Sequence, residues 1–232
     1  MIYFDGLALE EVAPVMIEDI RVSPIKYNAI VRPRAVRFGS EFVRMGGGER
    51  TVTVLFALMD RNMVSRQASL QNVNAWAKTD KEYTLELPTA PDKYLKCVCT
   101  AHPEPSTRQW WEAKLRLVFT CYDDPYWVSK GEKTAACGAA FTVLGDAPPL
   151  MRIENTFSSA ASNVTYSNGT QSMTFSAIPA GNMVIDLNRQ TAAVGTTSIM
   201  PYYAPAGAFI MPKTGTQTIS GTGTVKYRER WE

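Results

Sequence analysis

The chain of 232 residues is poor in the residues that catalysis and cofactor binding draw on. It has one histidine, His102, in the turn-like stretch AHPEPS, with no serine or cysteine nucleophile motif beside it. No GxSxG, HExxH, phosphate-binding loop or strand-associated GxGxxG is present. The adjacent acids Glu10-Glu11 and Asp123-Asp124 diverge when their backbone is extended, so neither pair can flank one glycosidic bond. These absences argue against an enzyme and predict neither cofactor nor metal. Net charge is only +2, which argues against binding nucleic acid or anionic membrane by bulk charge. No apolar run approaches the roughly 18 residues of a membrane span. The opening MIYFDGLALEEVAPVM lacks the basic and apolar regions of a signal peptide, so no membrane anchor and a cytoplasmic origin are expected.

Cysteine is scarce too, with Cys97, Cys99, Cys121 and Cys137. Cys97 and Cys99 share one strand face with Leu95, which excludes an easy link between the two. Cys121 shares its face with Leu115, Leu117 and Phe119. These three read as small buried hydrophobes in a reducing compartment. A metal set of Cys97, Cys99, His102 and Cys121 matches no common zinc spacing. Asn163 and Asn168 open glycosylation sequons, but without a secretory signal they read as turn residues.

What the chain does have is β-pattern. A hydrophobic fraction of 45% with 20% charged residues marks a folded protein. Residues 1–149 hold 18 basic and 18 acidic side chains, whereas residues 150–232 hold 6 and 4. The change falls at LGDAPPLM, where Gly145 and Pro148-Pro149 interrupt the pattern, and predicts two domains, 1–147 and 148–232. In the first, TVTVLFALM reads as a central strand and EYTLELP alternates, with Tyr83, Leu85 and Leu87 on one face. One segment, about 65–79, has Leu70, Val73 and Ala77 at helical spacing, Trp76 beside them and Ser65 as cap, and predicts the only helix. From Arg21 to Arg50 there are seven basic residues and two acids. No aromatic interleaves Arg32, Arg34 and Arg37, and acids elsewhere balance them, so this stretch is read as a partner-facing arm rather than a nucleic-acid site, with Arg32, Arg34, Arg37, Arg44 and Arg50 as candidate contacts.

The second domain shows short alternating runs between Gly, Asn, Pro and Thr, a β-sandwich pattern. Its last run, GTVKYRERW, places Val225, Tyr227 and Trp231 on a buried face and Lys226, Arg228 and Arg230 outside. Trp76, Phe119, Tyr227 and Trp231 are therefore expected in the core. Asp186 stands alone in NMVIDLNRQTAAV, a hairpin whose turn is Asn188-Arg189-Gln190, with Asn188 suited to the left-handed region. With no partner acid it is read as structural. Trp231, Tyr202 and Tyr203 leave one other function open: a carbohydrate-binding module that contributes to receptor recognition.

Four stretches in this order, ERTVTVLFAL with the helix ending in NAWAK, YTLELPTAPDKYLKCVCT, LRLVFTCYDDPYW, and VIDLNRQTA followed by GTQTISGTGTVKYRERWE, resemble the distal tail protein (Dit) family of phages with long non-contractile tails. The resemblance implies a mainly β protein, with an N-terminal ring-forming domain carrying one α-helix and a C-terminal galectin-like β-sandwich. It implies a structural virion protein of the tail tip, or baseplate, assembled in the host cytoplasm. It also implies a homo-hexamer that joins the tail tube protein to the tail-associated hub or fibre protein. The tape-measure protein and then DNA would pass through the ring without specific binding. The second domain lacks the long insertions associated with sugar binding in that family.

Overall fold

The computed structural model describes residues 1–33, 40–103, 114–204 and 207–232, with backbone alone for 28–33 and 40–47. The chain divides into two compact units, Met1–Trp127 together with Glu232, and Val128–Trp231.

In chain order the first unit contains β1 (Tyr3–Phe4), β2 (Leu7–Ala8), α1 (Leu9–Val12), β3 (Val15–Val22), β4 (Lys26–Pro33), β5 (Ser40–Leu58), α2 (Met63–Ala77), β6 (Tyr83–Glu86), β7 (Lys93–Ala101) and β8 (Leu115–Cys121). The alternation in TVTVLFAL buries Val52, Val54 and Phe56 completely. Over this half β5 is central, paired to β3 from Val22↔Val52 to Val15↔Leu58 and to β8 from Arg50↔Cys121 to Phe56↔Leu115. The sheet continues from β8 through β7, β6 and β1 to β2. Helix α2 lays Val73 and Ala77, both fully buried, into the core. Phe4, Trp76 and Phe119 meet there with ring centroids 5.0–6.2 Å apart. Trp76 is half-buried, and its indole N–H donates to the Leu7 carbonyl at 2.9 Å.

The helix begins two residues before the expected Ser65, because Asn62 is the cap: its Oδ1 accepts from the Ser65 N–H at 2.9 Å. A second helix, α1, lies outside the single-helix expectation; its four residues are too few to show a 3.6-residue period.

β9 (Trp127–Ser129) spans the division between the units. The second unit continues with β10 (Lys133–Ala136), β11 (Ala140–Val143), β12 (Ala147–Phe157), β13 (Ala161–Ser167), β14 (Ser172–Ile178), β15 (Gly181–Asp186), β16 (Thr191–Val194), β17 (Thr197–Ser198), a 3-10 helix (Met200–Tyr202), β18 (Gly215–Thr218) and β19 (Thr224–Trp231). One antiparallel sheet runs β17-β16-β15-β12-β19-β10. The ribbons β11–β18 and β13–β14 form the other layer, linked by a bridge between Ser167 and Ser220. Met151, Ile153, Met183, Ile185 and Val225 from the first layer pack against Phe141, Tyr166, Met173, Phe175 and Ile219 from the second, making a β-sandwich.

The division falls about twenty residues before the expected 147/148 boundary. Composition registers solvent exposure, whereas strand pairing decides membership: β10 and β11 pair with β19 and β18. Pro148-Pro149 lie inside β12 at a register shift between Ala147 and Leu150, so the prolines mark a β-bulge rather than a linker. Phe119 and Tyr227 are buried, at 0% and 6% exposure. Trp231 is half-buried and belongs to neither core cluster. It ends its strand, and the inward position two residues earlier is taken by Glu229, 4% exposed.

Candidate assembly surface

β4 and the first half of β5 form a hairpin, paired from Lys26↔Glu49 to Pro33↔Ser40 with two register shifts. β4 pairs with no other strand among the described residues, so this stretch is a two-stranded ribbon with open edges. Such edges present unpaired N–H and C=O groups to any strand that can align with them. The ribbon occupies the segment read from sequence as a basic arm. Arg32 lies opposite Glu41 and Arg44 opposite Ile30, which places both on the ribbon. Arg34 and Arg37 lie outside the described residues. Arg50 does not belong with them: it is 3% exposed, opposite Cys121, where β5 has left the ribbon and entered the sheet.

The base of the ribbon is closely packed. A Cβ on Gly48 would strike the Ile25 side chain and crowd the Tyr27 ring, so only glycine fits there. The Tyr27 hydroxyl donates to the Glu232 carboxylate at 2.7 Å and lies 3.4 Å from the Tyr126 hydroxyl. The bond with Tyr126, burial and then Glu232 raise the phenol's pKa above its ordinary value, so it remains a donor at every ordinary pH. Beside it a cavity of about 470 Å³ is lined by Val22 to Ile25, Arg50, Trp127 and Glu232. Tyr27 is 99 residues from Tyr126 and 205 from Glu232, and no local sequence pattern reports such a contact.

A second feature is apolar. Met59, Met63 and Val64, in and after the turn that leaves β5, are 56%, 65% and 81% exposed. Met16, 49% exposed, lies on β3 opposite Ala57 near the same end of β5. Single exposed apolar residues are ordinary, but these four, on β3, after β5 and at the start of α2, offer apolar surface suited to a protein contact.

The outward face of the second unit's larger sheet is charged. Arg152 contacts Glu132 at 2.8 Å and Glu154 at 2.6 Å, and Lys226 contacts Glu154 at 2.7 Å. Lys226 first, and then Arg152, hold the Glu154 carboxyl below the usual carboxylate range. Buried Glu229 accepts from Lys133 Nζ at 2.8 Å and from the Leu144 N–H at 2.9 Å. Asp186 closes its own turn, its Oδ1 accepting from the N–H groups of Asn188 and Arg189 at 3.0 and 2.9 Å. The left-handed residue of that turn is Gln190, φ 54°, rather than Asn188. The Asn188 side chain is engaged elsewhere, accepting from the Met151 N–H and donating to the Pro149 carbonyl.

Of the aromatics that suggested a sugar platform, only Tyr202 is largely exposed, at 47%. Tyr203 packs on Phe175 and Phe209, and its hydroxyl donates to the Gly207 carbonyl. Among the described residues no group of three His, Cys, Asp or Glu side chains could hold a metal ion. No helix among them is long and apolar enough to cross a membrane.

No protein-family model matches the sequence. No curated protein matches it either. Among solved structures, the baseplate of phage P2 in its activated conformation with Ca gives a TM-score of 0.45 at 7% identity, covering 94% of this chain and 90% of that one. The Sr form of the phage p2 baseplate gives 0.43 at 8%, covering 93% and 90%. The SPP1 Dit protein, described as a paradigm of the hub adsorption apparatus in phages infecting Gram-positive hosts, gives 0.77 at 15% identity, covering 100% of this chain and 98% of that one. This chain has the fold of the SPP1 Dit protein along its whole length.

Proposed function

We propose that this chain is a structural component of a phage tail tip. It assembles through its first unit into a closed hexameric ring that joins the tail tube protein to the tail-associated hub protein. The ring leaves a channel that the tape-measure protein and then DNA traverse without sequence-specific binding. The carrying observation is the whole-chain match in fold to the SPP1 Dit protein. Fold alone does not fix function, and two independent features support the reading. The β4–β5 ribbon leaves two edges open, and a closed ring covers such edges through heterologous contacts. The exposed apolar surface of Met16, Met59, Met63 and Val64 offers a further face for a partner. The second unit, a sandwich with a charged outward sheet, stays outside the subunit contacts.

Light scattering on the purified full-length protein tests this. The expected mass is six times 25.7 kDa. Replacing residues 30–45 by a short turn should reduce the mass toward that of one chain while the circular dichroism spectrum keeps its β signal. A full-length protein that stays at 25.7 kDa at every concentration overturns the ring.

A further inference from the structure

We propose that Cys97 and Cys121 form a latent cross-strand disulfide, closed when the folded protein meets a peroxide. The inference stands on the first unit alone and does not depend on the tail-tip reading. β7 and β8 run antiparallel with Val98 opposite Thr120 and Cys99 opposite Phe119. One step along the same register sets Cys97 opposite Cys121. Both side chains are fully buried and belong to one cluster. Facing residues of an antiparallel pair sit about 4.5 or 5.5 Å apart at Cα, depending on whether they exchange backbone hydrogen bonds. Disulfides span about 4.4–6.8 Å, so either arrangement can be bridged without moving the strands. The other two cysteines are placed differently. Cys99 faces Phe119 and its thiol points to the Ala101 carbonyl at 3.5 Å, and Cys137 lies in the second unit. All four are free thiols in this structure.

The chemistry balances as two thiols and one hydrogen peroxide giving one disulfide and two waters. The sulfur of one cysteine, as thiolate, attacks a peroxide oxygen. The O–O bond breaks, a sulfenic acid forms, and the departing hydroxide takes up the thiol proton as the first water. The facing sulfur then attacks the sulfenic sulfur. The S–S bond forms, the S–O bond breaks, and hydroxide leaves with the second thiol proton as the second water. Two electrons pass from the sulfur pair to the peroxide. Burial, first, and then the neighbouring Cys121 push the Cys97 thiol up, so thiolate is scarce and closure is slow near neutral pH, faster as pH rises. Both cysteines are fully buried, so oxidation also waits on local opening that admits the peroxide. Once closed, the link restricts the unfolded chain and raises the melting temperature of the first unit.

The test uses the native full-length chain, incubated with hydrogen peroxide, treated with catalase, then denatured and alkylated with iodoacetamide. Peptides are mapped without reductant. The expected result is a Cys97–Cys121 linkage two hydrogens lighter than the separate peptides, resolved from Cys99 by fragmentation because both lie between Lys96 and Arg108. The melting temperature should rise by several degrees and return on adding dithiothreitol. Cys97→Ala and Cys121→Ala should each abolish the linkage and the rise. Should either variant fold poorly, the map of the unsubstituted chain still decides. Persistent alkylation of both cysteines, sulfinic acid at either, or a link through Cys99 would overturn the proposal.

Discussion

The two units enclose their cores differently. The first covers one long sheet with a helix and fills the junction with the rings of Phe4, Trp76, Tyr83 and Phe119. The second lays sheet against sheet, and its core is mainly aliphatic and methionine, with Tyr166 the largest fully buried side chain. Their charges contrast too. In the first unit Arg21 pairs with Asp19 at the surface. The second, drawn largely from the charge-poor end of the sequence, connects Glu132, Arg152, Glu154 and Lys226 and buries Glu229 against Lys133. A boundary placed by counting charges cuts between Lys133 and Glu229, two ends of one ion pair. The number of charges in a segment does not report how they are organised.

The largest expected effects test whether the two cores are energetically separate. Phe119→Ala should cost the first unit about 3–5 kcal/mol, and Phe175→Ala the second about as much, since both rings are fully buried. In calorimetry each substitution should lower one transition and leave the other in place. Transitions that shift together would show that the units unfold as one. Trp231→Ala should cost less than either, because Trp231 is half-buried and outside both cores. A loss as large as that of Phe119→Ala would return Trp231 to a core role.

These cores also show what the sequence made legible. Period-two alternation located β5, β6 and β19 because each buries one face, and helical spacing located α2 because Val73 and Ala77 face inward. It left Glu229 unassigned, although that residue shares the inward face of Val225 and Tyr227; Lys133 and the Leu144 N–H make its burial tolerable. Arg50 was grouped with the basic segment by charge alone, whereas it is buried opposite Cys121 in the sheet. The contacts of Tyr27 with Tyr126 and Glu232 were illegible because they depend on the folded path of the whole chain.

Glu229→Ala sharpens the charge comparison next. It leaves the Leu144 N–H without its acceptor and frees Lys133, whose side chain is 44% exposed and can return to water. The cost should be about 1–3 kcal/mol, confined to the second transition. Shortening the side chain of Glu18, which meets Lys114 at the surface of the first unit, should cost under about 1 kcal/mol. If the two substitutions prove equal in urea titrations, burial is not what distinguishes the pairs.

Acidification gives a smaller effect of known sign. The Glu154 carboxyl is held below the usual range by Lys226 and then Arg152, so its contribution is fully present above the unfolded-state pKa of about 4.3. It is lost as pH falls through the lower folded-state value. The partners are 29–39% exposed, so the contribution should stay within about 1 kcal/mol and shrink with salt. Melting curves from neutral pH downward should fall more steeply below about pH 4 for the unsubstituted chain than for Glu154→Gln. Parallel curves would mean that the network contributes nothing.

The smallest effect is expected at Asp186, the isolated acid of the β15–β16 hairpin. Its role there is geometric: one side-chain oxygen accepts from the N–H groups of Asn188 and Arg189 and holds the turn that lets Thr191 pair back across from Asp186. Asparagine keeps an oxygen in the same place, so Asp186→Asn should change stability by less than about 0.5 kcal/mol. Asp186→Ala removes the acceptor and should cost about 1 kcal/mol, as loss of a comparable helix cap does. The two variants therefore separate a turn acceptor from a charge. If the Asn variant is as destabilised as the Ala variant, the negative charge is what matters, and the turn is held by electrostatics rather than by the hydrogen bonds that the geometry displays.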